Sequence, residues 1–389
     1  MKVLTIAFWC SSFLILYTYI MYPLLLVVFA KYIGSRRYKD RKECNKAELP
    51  MISMVIAAYN EEKVIEEKIL NSLKIDYPRE RIEFLFGSDG STDRTNEIIA
   101  RHSREDGRIK LIAYPERRGK ASVINMTVAV AGGDIVVFSD ANTIYEIDAI
   151  KRLIDPFSHS NIGCVCGKLI ITKPTGATSN DDLYWRYETW IKRMENRLSG
   201  VLGANGGIYA VRKALFHPIP ENTIIDDFVI GMRVREQGYL VRFAEDAIAR
   251  EDTAESDRAE FRRRIRIGAG NFQSIALLKK LLLPREGFFA FQFWSHKILR
   301  WCVPFFLITA FLSNFFLLGT ERIYQVIFAC QLSFYALAFI GYAAGGKSLF
   351  FRIPSFFVSM NFAFFVGFIR FAFNTQKGTW ERTERLANV

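Results

Sequence analysis

Ile52-Ser-Met-Val-Ile-Ala-Ala58, followed at once by Tyr59-Asn60-Glu61-Glu62, decides how this chain reads. Seven uncharged, mostly apolar residues predict a strand buried on both faces. The next segment carries Val64, Ile65, Ile69 and Leu70 on one stripe at helical spacing. The pair is a βα unit. Its pattern returns as Glu83 to Gly87 then Thr95 to His102, as Ile109 to Ala113 then Ala121 to Ala131, and as Asp134 to Ser139 then Ile147 to Phe157. Such repetition predicts an α/β domain with a mostly parallel, Rossmann-like sheet covered on both faces by helices.

Sheets of this kind bind ligands beyond the carboxyl ends of their strands, so Ala57 to Glu61, Ser88 to Asp93, Arg117 to Lys120 and Asp140 to Asn142 are expected to converge. Asp140 ends a strand, with the Asn142 amide two residues on. Oxygen ligands so placed suit a hard divalent cation carrying a diphosphate. Asp226 and Asp227, at a predicted helix start, offer a carboxylate for removing a proton. No Gly-x-Gly-x-x-Gly follows the first strand, which argues against a dinucleotide oxidoreductase. Gly119-Lys120 has the ending of a phosphate loop, but Tyr114 stands where that loop needs its first Gly, so the nucleoside triphosphatase reading fails.

Outside this middle region the apolar residues gather at the two ends. Val3 to Ala30 is a nearly uncharged run, longer than a signal-peptide core and without a small-residue cleavage site, and reads as an uncleaved anchor. Ile298 to Leu318, Ile323 to Ala344 and Ile353 to Phe373 each reach the roughly 20 residues a membrane helix needs. Buried helices of a soluble core are the alternative. Lys31, Arg36, Arg37, Lys39, Arg41, Lys42 and Lys46 follow the anchor, and the basic-loop bias puts that side, and the catalytic domain, in the cytoplasm of a plasma (inner) membrane protein. One plus three crossings would leave the tail outside, yet Lys377 to Arg385 has an interfacial composition, so one run is a candidate for re-entry. The expected divisions are an anchor at 1–31, a basic linker at 32–50, a catalytic domain at 51–255, interfacial helices at 256–294, about three membrane helices at 295–375 and a tail at 376–389. Phe288, Phe289, Phe291, Phe293 and Trp294 suit the headgroup boundary.

A net charge of +12 fits attraction to anionic lipid and to phosphate-bearing substrates; with no recognition motif beside it, no nucleic-acid partner is expected. The six Cys are scattered. Cys164 and Cys166 fall on one face of a strand and read as small buried apolar residues, and the four His form no zinc pattern.

Seven segments in order carry a resemblance: Ala57-Ala-Tyr-Asn-Glu-Glu62, Ser88-Asp-Gly-Ser-Thr-Asp93, Arg118-Gly-Lys120, Ser139-Asp-Ala-Asn142, Gly203-Ala-Asn-Gly-Gly-Ile-Tyr-Ala-Val-Arg212, Asp226-Asp227 and Arg263-Arg-Ile-Arg266. Together they resemble the motifs of membrane-bound family 2 glycosyltransferases of the polysaccharide-synthesis type. That resemblance implies a glycosyltransferase A fold, a nucleotide-sugar donor, usually a uridine diphosphate sugar, a Mg2+ or Mn2+ ion and inversion at the sugar carbon. By the same resemblance Ala58, Tyr59, Glu61, Asp89 and Gly90 would meet the nucleoside, Lys120 and Asp140 the diphosphate, and Asp140 with Asn142 the ion. Asp89 could instead cap its own turn. Asn142 replaces the second acid of the family's Asp-x-Asp, so metal affinity would lean on Asp140 and the donor.

Asp227 would be the base, with Asp226 as the helix N-cap or the reverse. Arg264 and Arg266 would stabilise the departing diphosphate, alongside a basic lipid-facing surface on the same helix. Asn205, Gly206 and Trp185 are the acceptor-side candidates. Tyr184, Trp185, Tyr187 and Trp190 either meet the acceptor or pack on the sheet. Gln and Trp of the family's Gln-Arg-x-Arg-Trp are Arg263 and Ile267 here. Loss of that Trp favours one or a few additions to a lipid-linked or glycan acceptor over a processive polysaccharide synthase. The competing classes are a non-catalytic nucleotide-sugar-binding membrane protein and a nucleotidyltransferase; the latter gives no reason for four apolar runs.

Overall fold

The computed structural model describes residues 1–34, 49–172, 180–252, 257–343, 348–376 and 378. Most of the basic linker, and nearly all of the tail proposed to be interfacial, lie outside these residues.

The strands are β1 (Ile52–Ala58), β2 (Ile82–Asp89), β3 (Ile109–Tyr114), β4 (Ile135–Asp140), β5 (Ile144–Tyr145), β6 (Ile162–Thr172), β7 (Tyr209–Arg212) and β8 (Leu240–Asp252). They form one sheet in the order β3-β2-β1-β4-β7-β6-β8-β5. The helices, numbered along the chain, are α1 (Lys2–Tyr32), α2 (Ile65–Leu73), α3 (Thr95–Glu105), α4 (Lys120–Ala129), α5 (Ala149–Ile154), α6 (Asn180–Leu198), α7 (Asp226–Glu236), α8 (Asp257–Leu277), α9 (Phe288–Leu317), α10 (Arg322–Ala343) and α11 (Leu349–Ala372).

The βα units read from the sequence hold: β1 pairs in parallel with β2 and β4, and β2 with β3. Every residue of β1 is buried. Met54 and Ile56 face α2, α3 and α5, while Val55 and Ala57 face α4 and α7. A strand covered on both faces has no polar side, hence the unbroken apolar run. Each fully buried Ile or Phe contributes about 1.5–3 kcal/mol of transfer free energy.

The sheet is mostly parallel, as expected, but mixed: four of its seven strand pairings are parallel and three antiparallel. β7 returns antiparallel between β4 and β6, β6 pairs in parallel with β8, and β5 closes the edge antiparallel to β8. These strands pair across long stretches of sequence, so no local repeat announces their direction. Cys164 and Cys166 on β6 are free and buried on one face, as expected.

Four helices, α1, α9, α10 and α11, are long and apolar enough to cross a membrane, which marks the chain as a membrane protein. The aromatics expected at the headgroup boundary lie in the first turns of α9, where Trp294 is 46% exposed but two of them are buried. Phe289 and Phe293 pack into the core beside Phe228, because α9 docks on the catalytic domain before it enters its apolar stretch. Phe288 and Phe291 meet Phe29 of α1.

Helix α6 joins the domain to these helices, and Tyr187 and Trp190 pack there rather than on the sheet. The Tyr187 hydroxyl donates to the Tyr19 carbonyl at 3.2 Å, and Trp190 joins Tyr22 and Leu26 in one apolar cluster. Between the two parts lies a buried polar network. Arg300 pairs with Glu188, His296 Nδ1 lies 2.7 Å from Glu195, and the Tyr22 hydroxyl donates to Glu195 at 2.8 Å. Removing one partner of a buried pair costs about 3–5 kcal/mol, so these contacts fix how the domain seats on α1 and α9.

Candidate active site

The loops after β1, β3 and β4 and the start of α7 close around a cavity of about 1160 Å³. Its floor begins where β4 ends. Lys120, the first residue of α4, places Nζ 2.8 Å from Asp140 Oδ1 and 3.4 Å from Asp226 Oδ2. Asp227 lines the same space, and the position a Cβ would take on Gly206 is 3.3 Å from Asp227 Oδ2 and 3.6 Å from Asp140 Oδ2. Three carboxylates from two elements thus surround one ammonium, with a glycine backbone filling the gap that any side chain would close.

The electrostatics follow from burial. The Asp227 carboxyl is pushed up to about 6, first by burial and next by the neighbouring Asp226 charge, with Lys120 opposing. Burial alone would lower Lys120, but Asp140 and Asp226 hold its amine well above the ordinary range. A carboxylate poised near neutrality beside a fixed cation can accept a proton at physiological pH. Asp227 Oδ1 also accepts the Phe228 N–H at 2.8 Å, which orients it.

Asp226 does not cap α7. The N-cap position is Ile225, which makes no side-chain cap, and the Asp226 carboxylate turns to Lys120 instead. Both acids sit in the first turn, where the helix dipole favours negative charge.

Arg266 projects from α8 into the same cavity, donates to the Ile224 carbonyl at 3.4 Å and feels the charges of Asp226, Asp140 and Asp227. Arg264 lines the same cavity but has other partners: it pairs with Glu260 at 3.0 Å and stacks over Phe356 of α11. The two arginines named together from the sequence therefore part company. Arg263 shares Glu260.

The nucleoside-side residues divide as well. Glu61 lines the cavity, and Tyr59 lies under the Arg117 guanidinium, 4.0 Å from the ring centroid. Ala58 is buried at the end of β1. Asp89 is fully buried and accepts the backbone N–H groups of Arg118 at 2.6 Å and Gly119 at 3.0 Å. It thereby holds the loop that presents Lys120. Gly90 has φ of +65°, and a Cβ there would meet the Arg117 backbone N at 2.9 Å; glycine is what lets the two loops touch.

Asn205 is held by Lys192 at 2.5 Å and by the Gly167 carbonyl at 2.9 Å, and it lines the cavity with Gly206 and Trp185. Asn142 lies on the wall, and its buried Nδ2 has no hydrogen-bond partner among the described residues. Among the described residues no group of three His, Cys, Asp or Glu side chains could hold a metal ion. The oxygens present suit a hard cation that takes its remaining ligands from a bound diphosphate.

Lys68 went unnoticed in the sequence. It is fully buried on α2, donates to Ser139 Oγ at 2.7 Å and to the Thr143 carbonyl at 2.6 Å, and lies 4.4 Å from the Tyr145 ring centroid. Burial lowers its amine to about 7, with Asp140 opposing. It braces the turn that carries Asp140 and Asn142. The signal was a lysine sharing the apolar stripe of Ile65, Ile69 and Ser72.

Residues 53–218 match the family model described as Glycosyl transferase family 2. The protein named Probable glycosyltransferase YdaM, from Bacillus subtilis (strain 168), is 27% identical over 256 residues, covering 62% of this chain and 60% of the relative. Poly-beta-1,6-N-acetyl-D-glucosamine synthase of Staphylococcus aureus (strain COL) is 27% identical over 243 residues, 60% of this chain and 58% of that protein. The match thus spans less than two thirds of these relatives' length. Among solved structures, mannosyltransferase PcManGT from Pyrobaculum calidifontis, in complex with GDP-Man and Mn2+, superposes with a TM-score of 0.70 at 19% identity over 96% of this chain and 98% of its own, which is a likeness of fold. Fold, strand-end cavity and family match agree: the chain carries a family 2 glycosyltransferase domain on a glycosyltransferase A fold.

Proposed function

We propose that the chain is a membrane-bound inverting glycosyltransferase, moving a sugar from a nucleotide-sugar donor, with UDP-sugars the first candidates, to a hydroxyl of a lipid-linked or glycan acceptor. What supports this above all is the grouping of Asp140, Asp226 and Asp227 around Lys120 in one cavity, with Arg266 beside them. Asp227 takes the proton of the acceptor hydroxyl as its oxygen attacks the sugar carbon from the face opposite the diphosphate. The bond from that carbon to the diphosphate oxygen breaks, and Lys120 and Arg266 stabilise the charge that collects there. Asp89 keeps the Lys120 loop in place, and Lys68 does the same for the Asp140 turn. A divalent cation held by Asp140 and Asn142, Mg2+ or Mn2+, supplies further neutralisation of the diphosphate when bound. The Mn2+ and GDP-Man named with the similar Pyrobaculum structure suit this choice of ligands.

Basic residues after α1 favour a cytoplasmic face of an inner membrane for the domain. A processive polymer synthase is the second reading, favoured by the name of the Staphylococcus relative. Against it, Ile267 lines the cavity where the family's stacking Trp would be.

The test is nucleoside diphosphate release by the full-length protein in detergent, given UDP- and GDP-sugars, Mn2+ and membrane lipid extract. Release with one donor, lost in Asp227→Asn, is expected. Donor binding without release under all conditions would indicate a binding protein, and free pyrophosphate a nucleotidyltransferase.

A further inference from the structure

A second cavity, about 1070 Å³, runs beside the first between α6 and α11, with Tyr19 of α1 at its back. Both spaces share Tyr184, Trp185, Arg300, Met360 and Phe364 as walls, so they adjoin. α11 supplies Ile353, Phe356 and Phe357 to the groove, and Ile353 at its side is 50% exposed. Its charged lining is one-sided. Among the described residues the groove presents Lys168, Arg186, Arg193, Arg300 and Arg352 and no Asp or Glu, whereas the active-site cavity mixes both signs. Arg193 is answered by Glu245 and Arg300 by Glu188, from outside this lining.

An apolar trough on a helix able to cross a membrane, with Lys and Arg as the charged side chains of its described lining, is complementary to an amphiphile with a long hydrocarbon tail and an anionic head. Phosphate is the head that arginine recognises best. A free phosphate would use the cations and leave the apolar lining unused; a neutral lipid would do the opposite. We propose that this groove binds the acceptor as a lipid-linked sugar phosphate: the tail lies along α11, the phosphate meets the groove's cations, and the sugar hydroxyl passes the wall of Tyr184 and Trp185 toward Asp227. The proposal rests on the glycosyl transfer inferred above and names the acceptor's class.

The test uses the full-length protein in detergent and three probes: a polyprenyl phosphate, the polyprenol of equal length and inorganic phosphate, with bound ligand followed by native mass spectrometry. The phosphate lipid should bind about tenfold tighter than the alcohol. Arg352→Gln should cut that preference about fivefold, as expected for one interfacial cation, and Arg352→Lys should restore most of it. Ile353→Trp, which fills the trough, should weaken both lipids. Equal affinity for phosphate lipid and alcohol overturns the proposal, as does displacement of the lipid by inorganic phosphate at equal concentration. UDP and GDP binding is measured on the same sample. Nucleotide binding without any lipid phosphate binding overturns the groove assignment alone; lipid phosphate binding with no nucleotide recognised upholds the groove and removes the transferase reading.

Discussion

Lys120 Nζ stands 2.8 Å from Asp140 Oδ1, across the end of β4 from the helix that begins with Lys120 itself. In the proposed function this pair meets the donor diphosphate and its cation, so binding would divide Asp140 from part of its present partner. Lys120→Met is expected to weaken nucleoside diphosphate binding at least about tenfold, the scale of one lost charge-assisted contact. Calorimetric affinity equal to that of the unaltered protein would reject the role.

Asp227 gives a pH dependence whose sign can be worked out. Its carboxyl lies at about 6 in the folded protein, above the ordinary value of 3.8. As a base it must be ionised, so turnover should climb as pH rises through about 6. Stability runs the other way: between the two values the folded state holds the extra proton, and stability is lost as pH rises through that window. Asp227→Asn, which cannot ionise, should therefore abolish turnover yet raise stability at pH 7–8 by on the order of 2 kcal/mol, with the gain vanishing near pH 4. Thermal unfolding at the two pH values checks this.

Gly206→Ala places a methyl 3.3 Å from Asp227 Oδ2 and 3.6 Å from Asp140 Oδ2. The backbone carries no positive φ there, so the fold should survive. Turnover should fall by 10-fold or more, on the scale of about 1.4 kcal/mol per tenfold, with the unfolding midpoint nearly unchanged.

Asp89 separates a loop anchor from a base contact. Asp89→Asn keeps the size and removes one acceptor from the Arg118 and Gly119 N–H groups, at a cost of about 1–3 kcal/mol. Affinity should drop alike for UDP, GDP and inorganic diphosphate, because what moves is Lys120. A loss confined to one base would show direct recognition instead.

Arg266→Ala is expected to lower kcat more than donor affinity, because its charge is needed most when the diphosphate leaves. Arg264→Ala should act differently, loosening α8 from Glu260 and Phe356 and so lowering stability before chemistry. Equal kinetic effects in the two variants would contradict the geometry.

What the sequence by itself determined is local. The unbroken run at Ile52–Ala58, its recurrences and the long apolar segments follow from burial on both faces of a strand and from the length needed to cross hydrocarbon, both properties of neighbouring residues. The strand-end position of Asp140 and the loop before the helix at Lys120 came with them. Only the tertiary structure decided that β7 runs antiparallel beside β4, that Asp89 accepts the Arg118 and Gly119 N–H groups, that Arg264 pairs with Glu260 while Arg266 reaches the Ile224 carbonyl, and that Lys68 lies under the Asp140 turn. Each of these is a contact between segments far apart in the chain, set by packing and by the need to satisfy buried charge, and periodicity carries no record of either.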